Sequence, residues 1–311
     1  MLEAIALVAA CTMGVVALLL WAYAERWRLL RPSTWRLLQA QGIKNILNFK
    51  AIHSYIYLRW TRQYVSLLRN YILPKLDYEA KKDGTEKYHG KVVTHEHIRA
   101  VITLNHPVQL RDEDQILPYS TARDIVLTAS PDIVAHECPC RHSRHHPCSP
   151  TQVCMIIGKP FTDFMLEHHP KTTRSLTQVE ALELLKQEHE RGHVHSAWFR
   201  DINLNRFYAI CNCCKCCCTG VEALNTYGVP SLAASGYIAK VNTSDCTACG
   251  RCKVACPFEA IEVETAAAVQ WDRCMGCGVC VSQCPTEAIT LRRDEKKGVP
   301  FDVRLMTTYY H

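Results

Sequence analysis

The chain has 311 residues, a formal net charge of +6 at pH 7 and nineteen cysteines. This length allows more than one domain. Because the cysteines cluster in metal-ligand spacings, they exclude a small secreted disulfide scaffold and indicate a reducing compartment. The sequence contains no G-x-G-x-x-G, no P-loop and no C-x-x-C-H haem motif, so we expect neither a nucleotide nor a c-type haem.

The first predicted element is an apolar helix. Residues 4–24 contain no charge over 21 positions, which is about the length that crosses the hydrocarbon core of a bilayer. Glu3 precedes this stretch, and aromatic residues and arginines follow it, unlike the flanks of a cleaved signal peptide. We therefore expect residues 1–25 to be a single-pass anchor in the cytoplasmic membrane, with the other domains on the cytoplasmic side. The alternative is a buried helix of a soluble protein, in which Cys11 is a small apolar side chain.

Residues 26–90 are predicted to form a basic amphipathic helical region. Apolar side chains recur there at nearly helical intervals, with arginines between them. They are Ile56, Trp60, Tyr64, Leu68 and Tyr71. Such a helix suits an anionic bilayer surface, a protein core or an integral membrane subunit equally well. Because the basic excess lies beside the predicted anchor, we expect membrane lipid and no nucleic acid as a partner.

Residues 91–235 are predicted to form a mostly helical, cysteine-rich iron–sulfur domain. A helix over residues 177–190, capped by Ser175 or Thr177, separates two cysteine patches. The first patch contains Cys138, Cys140, Cys148 and Cys154, and the second contains Cys211, Cys213, Cys214, Cys216, Cys217 and Cys218. Ten cysteines exceed any packing need, and adjacent ones point in different directions along a regular element, so they indicate metal ligands or a thiol relay.

The ten cysteines allow several cluster inventories. They suit one cubane, two cubanes, or a non-cubane cluster with five or more ligands. We expect at least one further cluster, with [4Fe–4S] as the favoured type. The first patch forms it alone, or Cys138 and Cys140 share a cube with the second patch, and the sequence does not decide between these.

One short motif in this domain matches the zinc metalloprotease signature. Residues 189–193 read H-E-R-G-H, and the H-E-x-x-H signature requires both histidines on one face of an uninterrupted helix. Gly192 is expected to end the helix, with His193 beyond it. We therefore expect no protease site here.

The most specific pattern is an internal repeat near the C-terminus. Residues 246–257 and 274–285 both read C-x2-C-x2-C-x3-C-P, with an offset of 28 residues. This is the bacterial-type arrangement for two [4Fe–4S] clusters, in which the fourth cysteine of each run ligates the other cluster. The two expected ligand sets are Cys246, Cys249, Cys252 and Cys284, and Cys274, Cys277, Cys280 and Cys256. A disulfide framework or paired zinc sites fit this spacing poorly.

Two resemblances rest on these motifs. Residues 237–292 resemble the dicluster ferredoxins, which implies a small module of β-hairpins and helices within a domain and tail at residues 236–311. Residues 115–290 resemble iron–sulfur proteins of anaerobes that fuse a cysteine-rich domain to such a module. The segments that carry this second resemblance are residues 116–126, 137–141, 192–195 and 210–218. This second resemblance implies iron–sulfur clusters as cofactors and does not imply a particular reaction.

The predicted fold class is α+β, with an anchor, a mostly helical middle domain and a dicluster module. The favoured function is a membrane-anchored carrier that relays electrons between a cytoplasmic redox protein and a quinone pool, a membrane subunit or a partner enzyme. Every assigned cubane has four cysteines, so no iron has an obvious open site and no catalytic residue is assigned. The alternatives are a reductase that uses an unusual cluster in the middle domain, and a metal-handling protein.

Overall fold

The computed structural model describes residues 2–42, 48–76, 89–111, 124–127, 131–200, 202–204 and 206–305. Residues 116–123, which carry part of the second resemblance, lie outside this description. The first nine helices are α1 (Leu2–Ala24), α2 (Pro32–Ala40), α3 (Phe49–Arg59), α4 (Thr61–Leu67), α5 (His95–Ile102), α6 (Pro139–His142), α7 (Phe161–His168), α8 (Gln178–Glu190) and α9 (Thr219–Tyr227). A π-helical turn at Leu68–Ile72 and a 3₁₀ turn at Leu73–Lys75 continue α4.

The predicted transmembrane anchor at residues 4–24 is wrong, and so is the single-pass location in the cytoplasmic membrane. Within the described part of the chain, no helix has the length and apolar character that crossing a membrane requires. The Trp21 ring lies 5.1 Å from the Tyr55 ring, and Ala24 is fully buried. The end of α1 therefore belongs to the core of the protein itself.

The middle of the chain is built on a mixed β-sheet. Its strands are β1 (Gly90–Val92), β2 (Val108–Arg111), β3 (Asp124–Leu127), β4 (Ile133–His136), β5 (Cys154–Ile157), β6 (Thr173–Leu176), β7 (Val194–Arg200), β8 (Arg206–Cys213) and β9 (Leu232–Ala233). The strand order is β6-β4-β5-β8-β7-β1-β9, with β3 paired to β8 and β2 paired to β3. The prediction of a mostly helical middle domain is therefore wrong.

The central strands β7 and β8 explain this error. They pair in antiparallel register from Val194 and Cys213 to Arg200 and Arg206, with a bulge after Trp198. Both strands are buried over most of their length, because α5 and α8 cover one face of the sheet and α3 and α7 cover the other. Strands buried on both faces lose the alternation of polar and apolar residues that marks a strand in a sequence.

The N-terminal helices pack onto this sheet around a buried carboxylate. Glu25 accepts hydrogen bonds from the Tyr55 hydroxyl at 2.7 Å and from the Thr34 hydroxyl at 3.0 Å. The predicted amphipathic helix is divided into α3 and α4, which meet at Trp60. Its inward side chains, among them Leu58 and Val65, are buried in the core of the chain itself.

The C-terminal module contains two small antiparallel sheets and two short helices. Its elements are β10 (Tyr237–Val241), α10 (Arg251–Ala255), β11 (Ile261–Val263), β12 (Ala267–Val269), α11 (Val279–Ser282) and β13 (Ile289–Arg293), followed by 3₁₀ turns at Glu295–Lys297 and Val303–Leu305. Strand β10 pairs with β13, and β11 pairs with β12. The module shares one apolar cluster with β1, β7 and α9, so it is packed directly on the middle domain.

Candidate iron–sulfur centres

The C-terminal module places its eight repeat cysteines around two separate pockets. Cys246, Cys249, Cys252 and Cys284 line one pocket. Cys256, Cys274, Cys277 and Cys280 line the other. In each pocket, three cysteines come from one run and the fourth comes from the other run. The fold thus brings together the same two groups of four that the repeat spacing proposes as ligand sets.

The backbone repeats with the sequence. Three pairs of residues 28 positions apart share a left-handed conformation in the two halves. They are Ala248 and Gly276 (φ +51° and +63°), Gly250 and Gly278 (+77° and +82°), and Glu259 and Glu287 (+52° and +54°). These turns place the first three cysteines of each run on one side of a loop, where a compact metal centre can be held.

The protonation chemistry of these thiols fits a metal cluster. Burial, together with the neighbouring Cys274 and Cys256, raises the pKa of Cys280 to about 12. Four thiols this close favour deprotonation only when a cation compensates their charge. Burial also acts on Cys284, but hydrogen bonds from Thr286 and from the backbone N–H groups of Ala288 and Ile289 outweigh it and lower its pKa. Donors of this kind stabilise cluster thiolates.

The ten cysteines of the middle domain divide into two groups. The first, the four-thiol group, comprises Cys148, Cys214, Cys216 and Cys217, whose sulfur atoms all lie within 4.8 Å of one another. Three of its cysteines come from the irregular segment after β8, and Cys148 comes from the loop after α6. The Cys148 sulfur lies 3.1 Å from that of Cys214 and 3.4 Å from that of Cys217. Four thiols on loops are a donor set that suits one [4Fe–4S] cluster or a tetrahedral metal ion.

The second group is a closed ring, which we call the six-thiol ring. Each thiol has two others as its neighbours, in the order Cys138, Cys154, Cys211, Cys213, Cys218, Cys140 and back to Cys138. Cys211 and Cys213 share one face of β8 because side chains two apart on a strand point the same way. Cys218 is the residue that begins α9, and its sulfur lies 3.0 Å from that of Cys213.

Raised and lowered thiol pKa values alternate around the six-thiol ring. Hydrogen bonds from neighbouring thiols lower the pKa of Cys140, Cys154 and Cys213, to about 6 for Cys154. The same contacts raise the pKa of Cys138, Cys211 and Cys218. Such a set of buried sulfur donors is complementary to a polynuclear cation and fits an iron–sulfur cluster.

Buried positive charge lies between the two groups. Arg141 is fully buried and donates to the Glu188 carboxylate at 3.0 Å and to the carbonyl of Asn212 at 3.3 Å. Burial acts to lower the pKa of Arg141, but charge on Cys214 and Cys148 outweighs it, so the pKa is raised. A guanidinium held in this way offsets the negative charge of thiolate-ligated clusters.

A large cavity opens onto the six-thiol ring. Its volume is about 370 Å³, and all six cysteines of the ring contribute to its wall. Tyr57 and Tyr208 line it too, with their hydroxyls 2.9 Å apart. The Arg200 guanidinium lies over the Tyr57 ring at 4.0 Å and over the Tyr64 ring at 5.2 Å. One face of the cavity is thus sulfur, while another carries phenol groups and a cation.

Two further sequence motifs are the first cysteine patch and the H-E-x-x-H segment. The first patch does not stay together: Cys148 lies with the second patch, while Cys138 and Cys140 lie with Cys211, Cys213 and Cys218, as in the alternative in which they share a site with the second patch, and Cys154 joins them. These cysteines are far apart in the sequence, and the strands that bring them together were not predicted from it. In the H-E-x-x-H motif, α8 ends before Gly192, and His193 turns back to Glu188 at 2.7 Å. His189 and His193 are therefore not placed as the two ligands of a protease.

The comparison with known protein families bears on the C-terminal module. A family model for the 4Fe-4S dicluster domain matches residues 239–291. These residues are a dicluster ferredoxin module. No curated protein and no solved structure is significantly similar to the chain. The module supports an iron–sulfur role in electron transfer, and its cofactors are iron–sulfur clusters.

Proposed function

We propose that the chain is a multi-cluster electron-transfer protein, in which the dicluster module exchanges electrons with iron–sulfur centres in the middle domain. The observation that carries this proposal is the division of the ten middle cysteines into two complete donor sets. The four-thiol group would hold a [4Fe–4S] cluster, and the six-thiol ring a cluster with more than four protein ligands. Clusters of these kinds supply one-electron redox chemistry.

The packing of the module supports electron flow from its exposed pocket inwards to the middle domain. Cys249 is exposed, and Cys246 and Cys284 are half-buried, so their pocket is accessible to a soluble redox protein. The four cysteines of the other pocket are all buried. That pocket faces the middle domain, where Asn225 of α9 donates to the carbonyl of Pro257 at 2.8 Å.

The module contacts both cysteine-rich groups of the middle domain. Lys215, which lies between two cysteines of the four-thiol group, is 3.9 Å from the Glu259 carboxylate of the module. Cys213 and Cys218 of the six-thiol ring share an apolar cluster with Cys252 and Cys256 of the module. We propose that electrons enter at the exposed pocket and reach the middle domain through the buried one.

Rapid-mixing kinetics test this path. A reduced two-cluster ferredoxin is mixed with the cluster-loaded protein, and bleaching of the visible absorption is followed. We expect Cys249→Ser to slow the reduction of the middle-domain clusters at least tenfold. Cys11→Ser, which changes an exposed cysteine of α1, is the matched control and should leave the rate unchanged. Equal rates in the wild type and Cys249→Ser would show that the exposed pocket is not the entry point.

A second candidate function, reduction of a small substrate, rests on the cavity. A carrier needs no chamber, whereas about 370 Å³ in contact with six thiols leaves room for a small molecule beside a cluster. Burial raises the pKa of Tyr208 and of Tyr57, so both phenols keep their protons. One of these protons joins the two hydroxyls at 2.9 Å, and the other can be donated into the cavity. With Arg200 beside them, this wall would favour a small anionic substrate.

Azide, a small anion, is a suitable probe of this second function. It should shift the electron paramagnetic resonance signal of the reduced middle-domain clusters in the wild type. The shift should disappear in Arg200→Met and persist in Arg174→Met, which changes a half-exposed arginine of β6. An unchanged wild-type signal would remove the reductase from consideration and leave the carrier function intact.

A further inference from the structure

Three histidines from separate elements meet outside the cysteine centres. They are His95 at the start of α5, His189 near the end of α8 and His195 on β7, and one ring nitrogen from each lies within 4.8 Å of the others. The rings of His95 and His189 are 4.3 Å apart, and each is 5.5 Å from the ring of His195. None of these side chains has a part in the iron–sulfur centres described above.

The orientation of His195 leaves a ring nitrogen available inside this cluster. Its Nδ1 atom lies 2.7 Å from Oδ1 of Asn212, whose amide nitrogen in turn donates to the carbonyl of Val153 at 2.8 Å. Because this second hydrogen bond fixes the direction of the Asn212 amide, Nδ1 of His195 carries the proton. The Nε2 atom then presents a lone pair. It is buried and has no hydrogen-bond partner, which is an expensive arrangement for a neutral side chain without a ligand.

The other two histidines are compatible with the same role. His95 also has a buried ring nitrogen without a partner, Nδ1. Burial lowers the pKa of His95 to about 4, with further contributions from His189 and Arg99, and burial lowers that of His195 to about 3. Neutral imidazole is the form in which histidine binds metals.

We propose that His95, His189 and His195 bind a divalent first-row transition-metal ion, for which Zn²⁺ is the natural probe. Imidazole suits such ions, and three histidine ligands with one remaining position for water are a known catalytic arrangement of zinc. The hydrogen bond from His195 to Asn212 is the usual second-layer contact that orients a metal-binding imidazole. This proposal stands independently of the proposed electron-transfer function.

Zinc K-edge X-ray absorption tests the site, because it separates nitrogen from sulfur ligands. The cluster-loaded protein is treated with a chelator and then given one equivalent of Zn²⁺. We expect a first shell of nitrogen or oxygen at about 2.0–2.1 Å with imidazole scattering, rather than sulfur at about 2.3 Å. A sulfur-dominated shell would overturn the proposal, because it would place the zinc on the cysteines.

Variants on two different helices complete the test. His95→Gln and His189→Gln should each weaken zinc binding at least 100-fold in a competition titration, while iron content and visible spectrum stay unchanged. His106→Gln, at an exposed histidine in the loop after α5, should bind zinc like the wild type. Unchanged zinc affinity in both ligand variants would overturn the proposal. Iron content is measured on the same samples, so a variant that fails to fold is recognised by its loss of iron. The other ligand variant then tests the proposal.

Discussion

At the scale of single residues, the two halves of the dicluster module show why equivalent positions carry different amino acids. Ala248 and Gly276 occupy the same place in the repeat and share a positive φ. Positive φ alone therefore does not require glycine at this place. At Gly276, however, an added Cβ would collide with the carbonyl oxygen of Tyr237 and the hydroxyl of Ser235. The need for glycine comes from the close approach of this loop to the start of β10 and to Ser235 just before it.

This difference gives a paired prediction. Gly276→Ala should lower the free energy of unfolding by at least about 3 kcal/mol and reduce the iron retained by the module, because backbone has to move. Gly250→Ala is the matched control, since its φ is +77° but no atom lies within 4 Å of the added Cβ. It should cost only about 1–2 kcal/mol, the strain of the left-handed conformation. Urea unfolding measures both, and equal losses would contradict this explanation.

At the scale of elements, helix α7 holds the N-terminal helices against the sheet through a buried histidine. His168 is 4% exposed and stacks on Phe164 at 4.1 Å. Its Nε2 atom lies 2.8 Å from the Thr34 hydroxyl of α2. Burial, helped by Arg59, Arg31 and His169, lowers its pKa to about 3, although Glu167 acts in the opposite direction and the Glu25 carboxylate lies 3.8 Å away. The folded protein therefore holds His168 neutral.

The sign of the resulting pH dependence follows from this lowered pKa. Above about pH 6.5, the ordinary pKa of histidine, both folded and unfolded chains hold a neutral His168, and its full contribution is present. As the pH falls from 6.5 towards 3, only the unfolded chain takes up the proton, so stability falls by up to about 1.4 kcal/mol per pH unit. Urea unfolding gives the free energy of unfolding at several pH values between 7 and 5.5. In His168→Gln, the slope of this free energy against pH should be smaller by the equivalent of about one bound proton. The exposed His106→Gln is the control, and identical slopes in all three proteins would contradict the assignment.

The elements also show how far the sequence alone leads. Helix α8 begins where predicted, with Thr177 as its cap in a reciprocal pair with Glu180, because capping is a local property. In the cysteine repeat, three cysteines of each pocket follow from local spacing, while the fourth comes from the other run and was expected only from the known pattern of such repeats. The sheet was missed because β7 and β8 are buried on both faces. The anchor was wrongly predicted from the length of an uncharged stretch, whose end at Trp21 and Ala24 packs against the rest of the chain.

At the scale of the whole molecule, the unpredicted features are those made by distant segments. The six-thiol ring joins α6, β5, β8 and α9, and the three-histidine cluster joins α5, α8 and β7. No local spacing encodes either group, because the sheet topology brings their members together. The same topology places the dicluster module against β1, β7 and α9, so one layered body carries all the proposed centres.

The division of the middle cysteines into sets of four and six is the central claim, and metal analysis tests it most directly. Iron and acid-labile sulfide are counted per chain in protein purified without oxygen, for the wild type, Cys216→Ser and Cys154→Ser. We predict about sixteen irons or more in the wild type, of which about eight belong to the module. Cys216→Ser should lose about four from the four-thiol group, and Cys154→Ser should lose only the iron of the six-thiol ring. About eight irons in the wild type, or loss of all the middle-domain iron in either single variant, would contradict the account.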